Sequence, residues 1–196
     1  MNAASPPGNF RVIAGRWRGR RLPIAAREGV RPTPDRVRET LFNWLEPVIA
    51  GARCLDLFAG SGALGIESLS RGAARVVFVE RDAAAAQVLR AALAGLGAAG
   101  AEVVRADAWQ WLDGPAEPFD VVFLDPPFAS GFPPRLCTLL ETCGWLADGA
   151  RIYIEHARRA DPPALPANWT LHRSRRAGQV VFHLALRNPP GVSNEE

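Results

Sequence analysis

The chain contains no lysine: all 23 basic residues are arginine. Such usage fits a GC-rich genome and is not itself a functional sign. Where the arginines fall is more informative. Residues 1–52 hold nine arginines against four acids (Glu28, Asp35, Glu39, Glu46), and residues 53–196 hold fourteen against sixteen. The basic balance of the chain therefore belongs to its N-terminal segment. Cysteine is scarce as well. Cys54, Cys137 and Cys143 include no CxxC pair, so no zinc site is suggested, and three scattered thiols fit a reducing, cytoplasmic setting. Each reads as a small buried hydrophobe. No stretch has 18 consecutive apolar residues, which leaves no candidate transmembrane helix. Met1 to Phe10 lacks the apolar core and basic head of a secretory signal and reads as a short disordered lead. The tail 188–196 reads the same way. What remains, at 196 residues, is one domain, or one domain with a small appendage.

The appendage is predicted over residues 1–52. From Phe10 to Leu22, five arginines alternate with aromatic, aliphatic and glycine residues. That pattern predicts a short β-hairpin turning near Gly15 to Gly19. Arg11, Arg16, Arg18 and Arg20 are candidate phosphate contacts, because a guanidinium donates two parallel hydrogen bonds, and Trp17 is a candidate stacking surface. The competing reading is a solvated hairpin whose charges blunt an exposed edge. Arg31-Pro32-Thr33-Pro34-Asp35 then opens a helix, with Thr33 as its cap, and Gly51 ends it. Val37, Leu41, Trp44, Leu45 and Val48 share one face. Arg36 and Arg38 lie on the other, where they either reach RNA or are solvated.

The main domain, 53–187, is organised around Arg53 to Gly65. A short apolar strand runs into small residues and then into helical spacing (Leu64, Ile66, Leu69). Gly60-x-Gly62-x-x-Gly65, with Glu80 about twenty residues on, matches the glycine fingerprint of a nucleotide-like cofactor site. Glycine there permits unusual backbone angles and close approach of a ligand, and the following helix presents free N–H groups. Asp56 lies inside the strand, where a plain core strand would carry an apolar residue. A second motif, Asp125-Pro126-Pro127-Phe128, follows another apolar strand. Together these favour S-adenosylmethionine over a nicotinamide.

Beyond the loop, strands are predicted at 75–80, 102–107, 119–124 and 151–155, with helices at 82–96 and 135–146. Strand–helix alternation means a parallel sheet covered on both faces, whose ligands bind at the carboxyl ends of the strands. Asp56, Glu80, Asp107 and Asp125 all lie at or just past such ends. Two further runs, 169–175 and 179–186, are joined by a short turn and predict an antiparallel hairpin. Phe58, Ser61, Arg81 and Ala108, beside the acids and glycines, complete the candidate cofactor-binding set.

Asp-Pro-Pro-Phe suits methyl transfer to an exocyclic base amine. That nitrogen is a poor nucleophile because its lone pair is delocalised into the ring. Asp125 can accept one amine hydrogen and the Pro126 carbonyl the other, holding the nitrogen in line with the methyl donor. The prolines stiffen the loop, and Phe128 can stack on the base, which must leave its own stack to enter. No metal is needed for this chemistry.

The chain resembles the RsmD family, the 16S ribosomal RNA (guanine(966)-N(2))-methyltransferases. The resemblance rests on residues 11–20, 31–42, 56–65 and 125–128, with 166–169 and 177–179 near the C-terminus. The first two stretches are the most specific. It implies an α/β class I methyltransferase fold, a Rossmann-like seven-stranded sheet with a small N-terminal extension. It implies S-adenosylmethionine as donor and a guanine amine of 16S ribosomal RNA in the small subunit as acceptor. Asp56, Gly60 and Gly62 would line the methionine end of the donor, Glu80 would take the ribose hydroxyls, and Asp107 with Ala108 would meet the adenine. Nothing demands more than a monomer. Three alternatives stand beside this reading: an adenine-specific DNA methyltransferase, which needs more recognition surface; a nicotinamide oxidoreductase, which leaves Asp-Pro-Pro-Phe without a role; and a catalytically silent RNA-binding module.

Overall fold

A computed structural model describes residues 8–25, 33–127 and 135–189. Its centre is set by β3 (Arg53–Asp56), β4 (Arg75–Val79) and β6 (Phe119–Leu124), three runs whose side chains are almost wholly buried. A strand apolar on both faces needs a layer on each side. The helices α1 (Asp35–Ile49), α2 (Ala63–Ser70) and α3 (Ala83–Leu96) supply one layer, and α4 (Ala108–Leu112) and α5 (Leu136–Thr142) the other. With β5 (Ala101–Val104), β7 (Leu146–Ala157), β8 (Trp169–Ala177) and β9 (Val180–Arg187), the sheet order is β5-β4-β3-β6-β7-β9-β8. The first five strands are parallel, and β9 runs antiparallel between β7 and β8. The chain steps outward from β3 to β5, then restarts at β6 on the other side of β3. The strand order thus reverses between β3 and β6, where an open α/β sheet forms its ligand crevice.

The N-terminal segment is built into the core. Its hairpin pairs β1 (Asn9–Arg11) with β2 (Arg21–Pro23) and turns through a 3-10 segment at Gly15–Trp17. Phe10, Val12, Trp17 and Leu22 are buried in the same cluster as Leu41, Phe42 and Phe123. The anchor is Glu67 on α2, which is fully buried. Its carboxylate accepts the N–H groups of Ile13 (2.8 Å) and Ala14 (3.0 Å) and pairs with Arg71 at 2.8 Å. A buried carboxylate is tolerable only with donors on its oxygens, and here the hairpin backbone supplies two of them. Gly15 presses so closely on the end of α2 that a Cβ would lie 1.8 Å from the Ser70 carbonyl oxygen.

Several expectations shift. Phe10 is a buried strand residue rather than part of a disordered lead, and residues 1–7 lie outside the described residues. Asn188 is not loose either. It donates to the Asn168 carbonyl and to Thr170 Oγ1, while 190–196 lie outside the described residues. The predicted helix 135–146 is only Leu136–Thr142, because Gly144 turns the chain at φ +83° and Leu146 joins the sheet beside Phe119. Cys54 and Cys137 are buried, but Cys143 is exposed. Thr33 makes no cap bond on α1, whose first turn starts from Pro34.

Gly65 packs α2 onto β4: a Cβ there would lie 2.2 Å from Phe78 Cε1. Overpacking of this kind costs about 1–3 kcal/mol. Gly65→Ala is expected to lower the melting temperature by about 2–4 °C per kcal/mol lost, read by circular dichroism. An unchanged melt would show that the α2–β4 contact is loose.

Candidate active site

Five strands deliver acids to one edge of the sheet. Asp56 closes β3 and is buried. Its Oδ2 accepts the N–H of Gly65 at 3.1 Å, tying the strand end to the first turn of α2. Glu80 follows β4. Its Oε2 accepts the N–H of Gly60 at 2.8 Å and its Oε1 that of Asp82 at 2.7 Å. Two carboxylates from neighbouring strands therefore grip the glycine loop at both ends. The loop between them uses left-handed backbone at Gly60 (φ +52°) and Gly62 (φ +73°). A Cβ on Gly62 would also stand 2.4 Å from Leu89 Cδ1, so both conformation and space require glycine there. Phe58 and Ser61 are half-buried in this loop, and Arg81 is exposed beyond Glu80. After β5, Asp107 caps α4 by accepting the Trp109 N–H at 3.0 Å, with Ala108 buried behind it.

Asp125 follows β6 on the same edge, half-buried, with Pro126 buried and Pro127 exposed. Phe128 lies outside the described residues. The Thr33 hydroxyl donates to Asp125 Oδ2 at 3.4 Å, so the residue expected to cap α1 instead reaches the Asp-Pro-Pro motif. Leu124 pairs with Ile154, which sets Asp125, just past β6, beside Glu155, near the end of β7. Glu155 is buried and accepts the Tyr153 hydroxyl at 2.5 Å. Glu155 and Tyr153 are absent from the candidate set drawn from the sequence. The signal was present: an acid closing the apolar run Ile152-Tyr153-Ile154, as Asp56 closes β3.

The edge is electrostatically unsettled. Burial pushes the Asp56 carboxyl up from 3.8 to about 7, the charge on Glu80 adds to the rise, and the Gly65 N–H opposes it. A rise of that size corresponds to about 4 kcal/mol between the two protonation states. Burial, then Glu155 and Asp56, hold Asp125 well above the carboxylate range against the Thr33 hydroxyl. Glu155 is raised by burial and lowered by Tyr153. The opposing groups are N–H and O–H donors, not cations.

The predicted RNA contacts separate into two kinds. Arg16, Arg18 and Arg20 are exposed at the hairpin tip, and Arg11 and Arg36 are exposed near the start of α1. Arg38 and Trp17 are interior. Arg38 is fully buried, donating to Asp35 (2.6 Å) and to the carbonyls of Arg11 (2.8 Å) and Thr33 (3.3 Å). It is a staple between α1 and the hairpin, with no surface for phosphate. Trp17 is 7% exposed, its backbone N–H bonded to Ser70 Oγ, so it offers no stacking face. Helical spacing put Arg38 opposite the apolar stripe; the hairpin then covered that side of the helix.

Carboxyls with raised values favour the protonated folded state. Their stabilising effect is complete below about pH 4 and is lost as pH rises through the folded values, about 7 for Asp56. The ligand-free protein is therefore expected to melt at a lower temperature at pH 8 than at pH 5. Asp56→Asn and Glu155→Gln should each flatten that fall. An equal fall in both variants would show that these carboxyls ionise normally.

The chain matches the family model described as conserved hypothetical protein 95 over residues 10–186. Ribosomal RNA small subunit methyltransferase D of Escherichia coli K12 is 50% identical over 192 residues, covering 98% of this chain and 97% of that protein. The protein of the same name from Haemophilus influenzae is 46% identical over 181 residues, covering 90% and 93%. The solved structure of Escherichia coli yhhF superposes with a TM-score of 0.86 at 50% identity, covering 92% of this chain and 99% of that one. With its glycine loop, its Asp-Pro-Pro motif and its hairpin extension on one matched sequence, the chain belongs to the small-subunit ribosomal RNA methyltransferase D family, a class I methyltransferase fold.

Proposed function

We propose that the protein transfers a methyl group from S-adenosylmethionine to the exocyclic N2 amine of guanine 966 in 16S ribosomal RNA, within the small subunit. It acts in the cytoplasm, where that substrate is, as a monomer. The observation that carries the reading is the meeting of the gripped glycine loop with Asp125 at the reversal of strand order, the end of β3 beside the end of β6. S-adenosylmethionine supplies an electrophilic methyl on a cationic sulfur. The residues fit such a ligand in two respects. Gly60 and Gly62 leave the backbone open to close approach, and Asp56, Asp125 and Glu155, whose carboxyls are raised toward protonation, form an acidic lining that a nearby cation would draw into its ionised form. Asp56 and the loop would hold the methionine end, Glu80 the ribose, and Asp107 with Ala108 the adenine.

Asp125 and the Pro126 carbonyl would accept the two amine hydrogens and aim the guanine nitrogen. As that nitrogen gains its fourth bond it becomes positive. Asp125 would lie next to it and Glu155 behind, so once the cationic donor has drawn these carboxyls into their ionised form the developing charge appears against negative charge. One amine proton then leaves through Asp125. Its raised carboxyl range suits it to hold that proton briefly and release it to solvent. Thr33, donating to Asp125, would couple the N-terminal segment to the aim of this acid.

The test is transfer of labelled methyl from S-adenosylmethionine to small subunits from cells lacking the gene, to naked 16S RNA and to duplex DNA. Label on subunit guanine is expected, and Asp125→Ala should reduce it by about 100-fold or more while S-adenosylhomocysteine still raises the melting temperature. Label on DNA adenine, or on no acceptor, would overturn the substrate assignment.

A further inference from the structure

Arginines at the two ends of the sheet are treated differently. At the amino ends of the strands they are neutralised: Arg53 and Arg75 share Glu117, Arg75 also holds Glu102, and Arg187 is held by Glu141 and Asp148. At the carboxyl end of the same C-terminal hairpin, five arginines have no such partners. Residues 157–178 hold Arg158, Arg159, Arg173, Arg175 and Arg176 against one acid, Asp161. All five are exposed, and none of their guanidiniums makes an ion pair or hydrogen bond among the described residues. The near balance of residues 53–196 as a whole conceals this local excess.

The fold gathers them into one corner. The Arg158 N–H donates to the Gln179 carbonyl at 2.8 Å, joining the turn after β7 to the tip of the β8–β9 hairpin. Arg175 pairs with Phe182, and Phe182 pairs with Glu155, so this corner is level with the Asp125 edge. It stands three strand steps from β6, roughly 14 Å at about 4.8 Å per step. Arg173 and Arg175 oppose Leu184 and Phe182, and so face the side of the sheet that α1 covers, where Trp44 packs on Phe182. The N-terminal hairpin tip sits elsewhere. It docks on Ser70 at the end of α2, the end from which the chain re-enters the sheet at the start of β4. Its Arg16 and Arg18 are therefore at the edge opposite the site.

We infer that the tip of the β8–β9 hairpin and the turn after β7 form a second RNA surface, which grips phosphates of nucleotides flanking the target base. The inference rests on the proposed RNA substrate and names where that RNA runs: across the carboxyl edge from Arg36 at the start of α1, past Asp125, to Arg173 and Arg175. Edge-strand arginines can also serve only to discourage strand pairing. That role needs no concentration at one end and no freedom from carboxylates, whereas phosphate binding uses both. Unpaired guanidiniums are ready to replace the counterions of a phosphate backbone.

The variants are Arg173→Gln/Arg175→Gln and the quadruple form that adds Arg158→Gln/Arg159→Gln. Equilibrium binding to naked 16S RNA and to small subunits is read across a salt series, beside methyl transfer. The quadruple variant is expected to bind both about 10-fold or more weakly at moderate salt. Its salt slope should be shallower by about 0.7–0.9 per lost phosphate contact. The kcat at saturating subunit and the melting shift given by S-adenosylhomocysteine should be unchanged. RNA affinity and salt slope equal to wild type would overturn the inference. So would loss of subunit binding with naked-RNA binding intact, which would assign the corner to a ribosomal protein. Because binding is read separately from transfer, RNA held through these arginines but never methylated would leave the surface standing and defeat the proposed reaction instead.

Discussion

Two hydrogen bonds from backbone to carboxylate hold this molecule's working edge together: Gly65 N–H to Asp56 and Gly60 N–H to Glu80. They fix the glycine loop between β3 and α2, and so fix where α2 begins. That position in turn places Glu67 to accept the backbone of the N-terminal hairpin. The same acids carry a cost. Each is buried, and among the described residues Asp56 receives one N–H to offset the loss of water, so burial favours its protonated form. A cationic ligand removes that cost. The loop is thus shaped by interactions that are only partly satisfied until something positive arrives.

The raised carboxyls have a common origin in the sheet. Parallel pairing sets Asp56 level with Phe123, two residues before Asp125, and sets Ile154 level with Leu124, so the acids of β3, β6 and β7 gather along one edge. Burial raises all three carboxyls, and like charge adds to the rise at Asp125, from Glu155 and Asp56, and at Asp56, from Glu80. A nitrogen that becomes positive during alkylation is stabilised in the same place. In the proposed reaction, the carboxyls raised by burial are the groups that face the developing charge.

Most of the fold was legible from period and punctuation. Apolar runs between glycine turns located β3, β4 and β6, and the short turn near Gly178 announced the β8–β9 hairpin. Acids interrupting apolar strands located Asp56, Glu80 and Asp125. Reading failed where tertiary contact decided the outcome. Arg38 is on the polar side of α1 by spacing, yet the hairpin roofs it over. Trp17 looked like a stacking face and is a core residue. Thr33 had the chemistry of a cap and spends it on Asp125, 92 residues away. The arginine corner was hidden by averaging charge over 53–196; only strand pairing shows that Arg158 and Arg175 share one end of the sheet.

Burial at the edge of the sheet is expected to keep its carboxyls partly protonated until a cationic donor binds. Carbon-detected nuclear magnetic resonance of labelled aspartate would follow Asp56 directly, with Asp56→Asn assigning the signal. A midpoint near 7 is expected without ligand, with a clear downward move when S-adenosylmethionine binds. A midpoint near 4 in the free protein, or no change on binding, would contradict it.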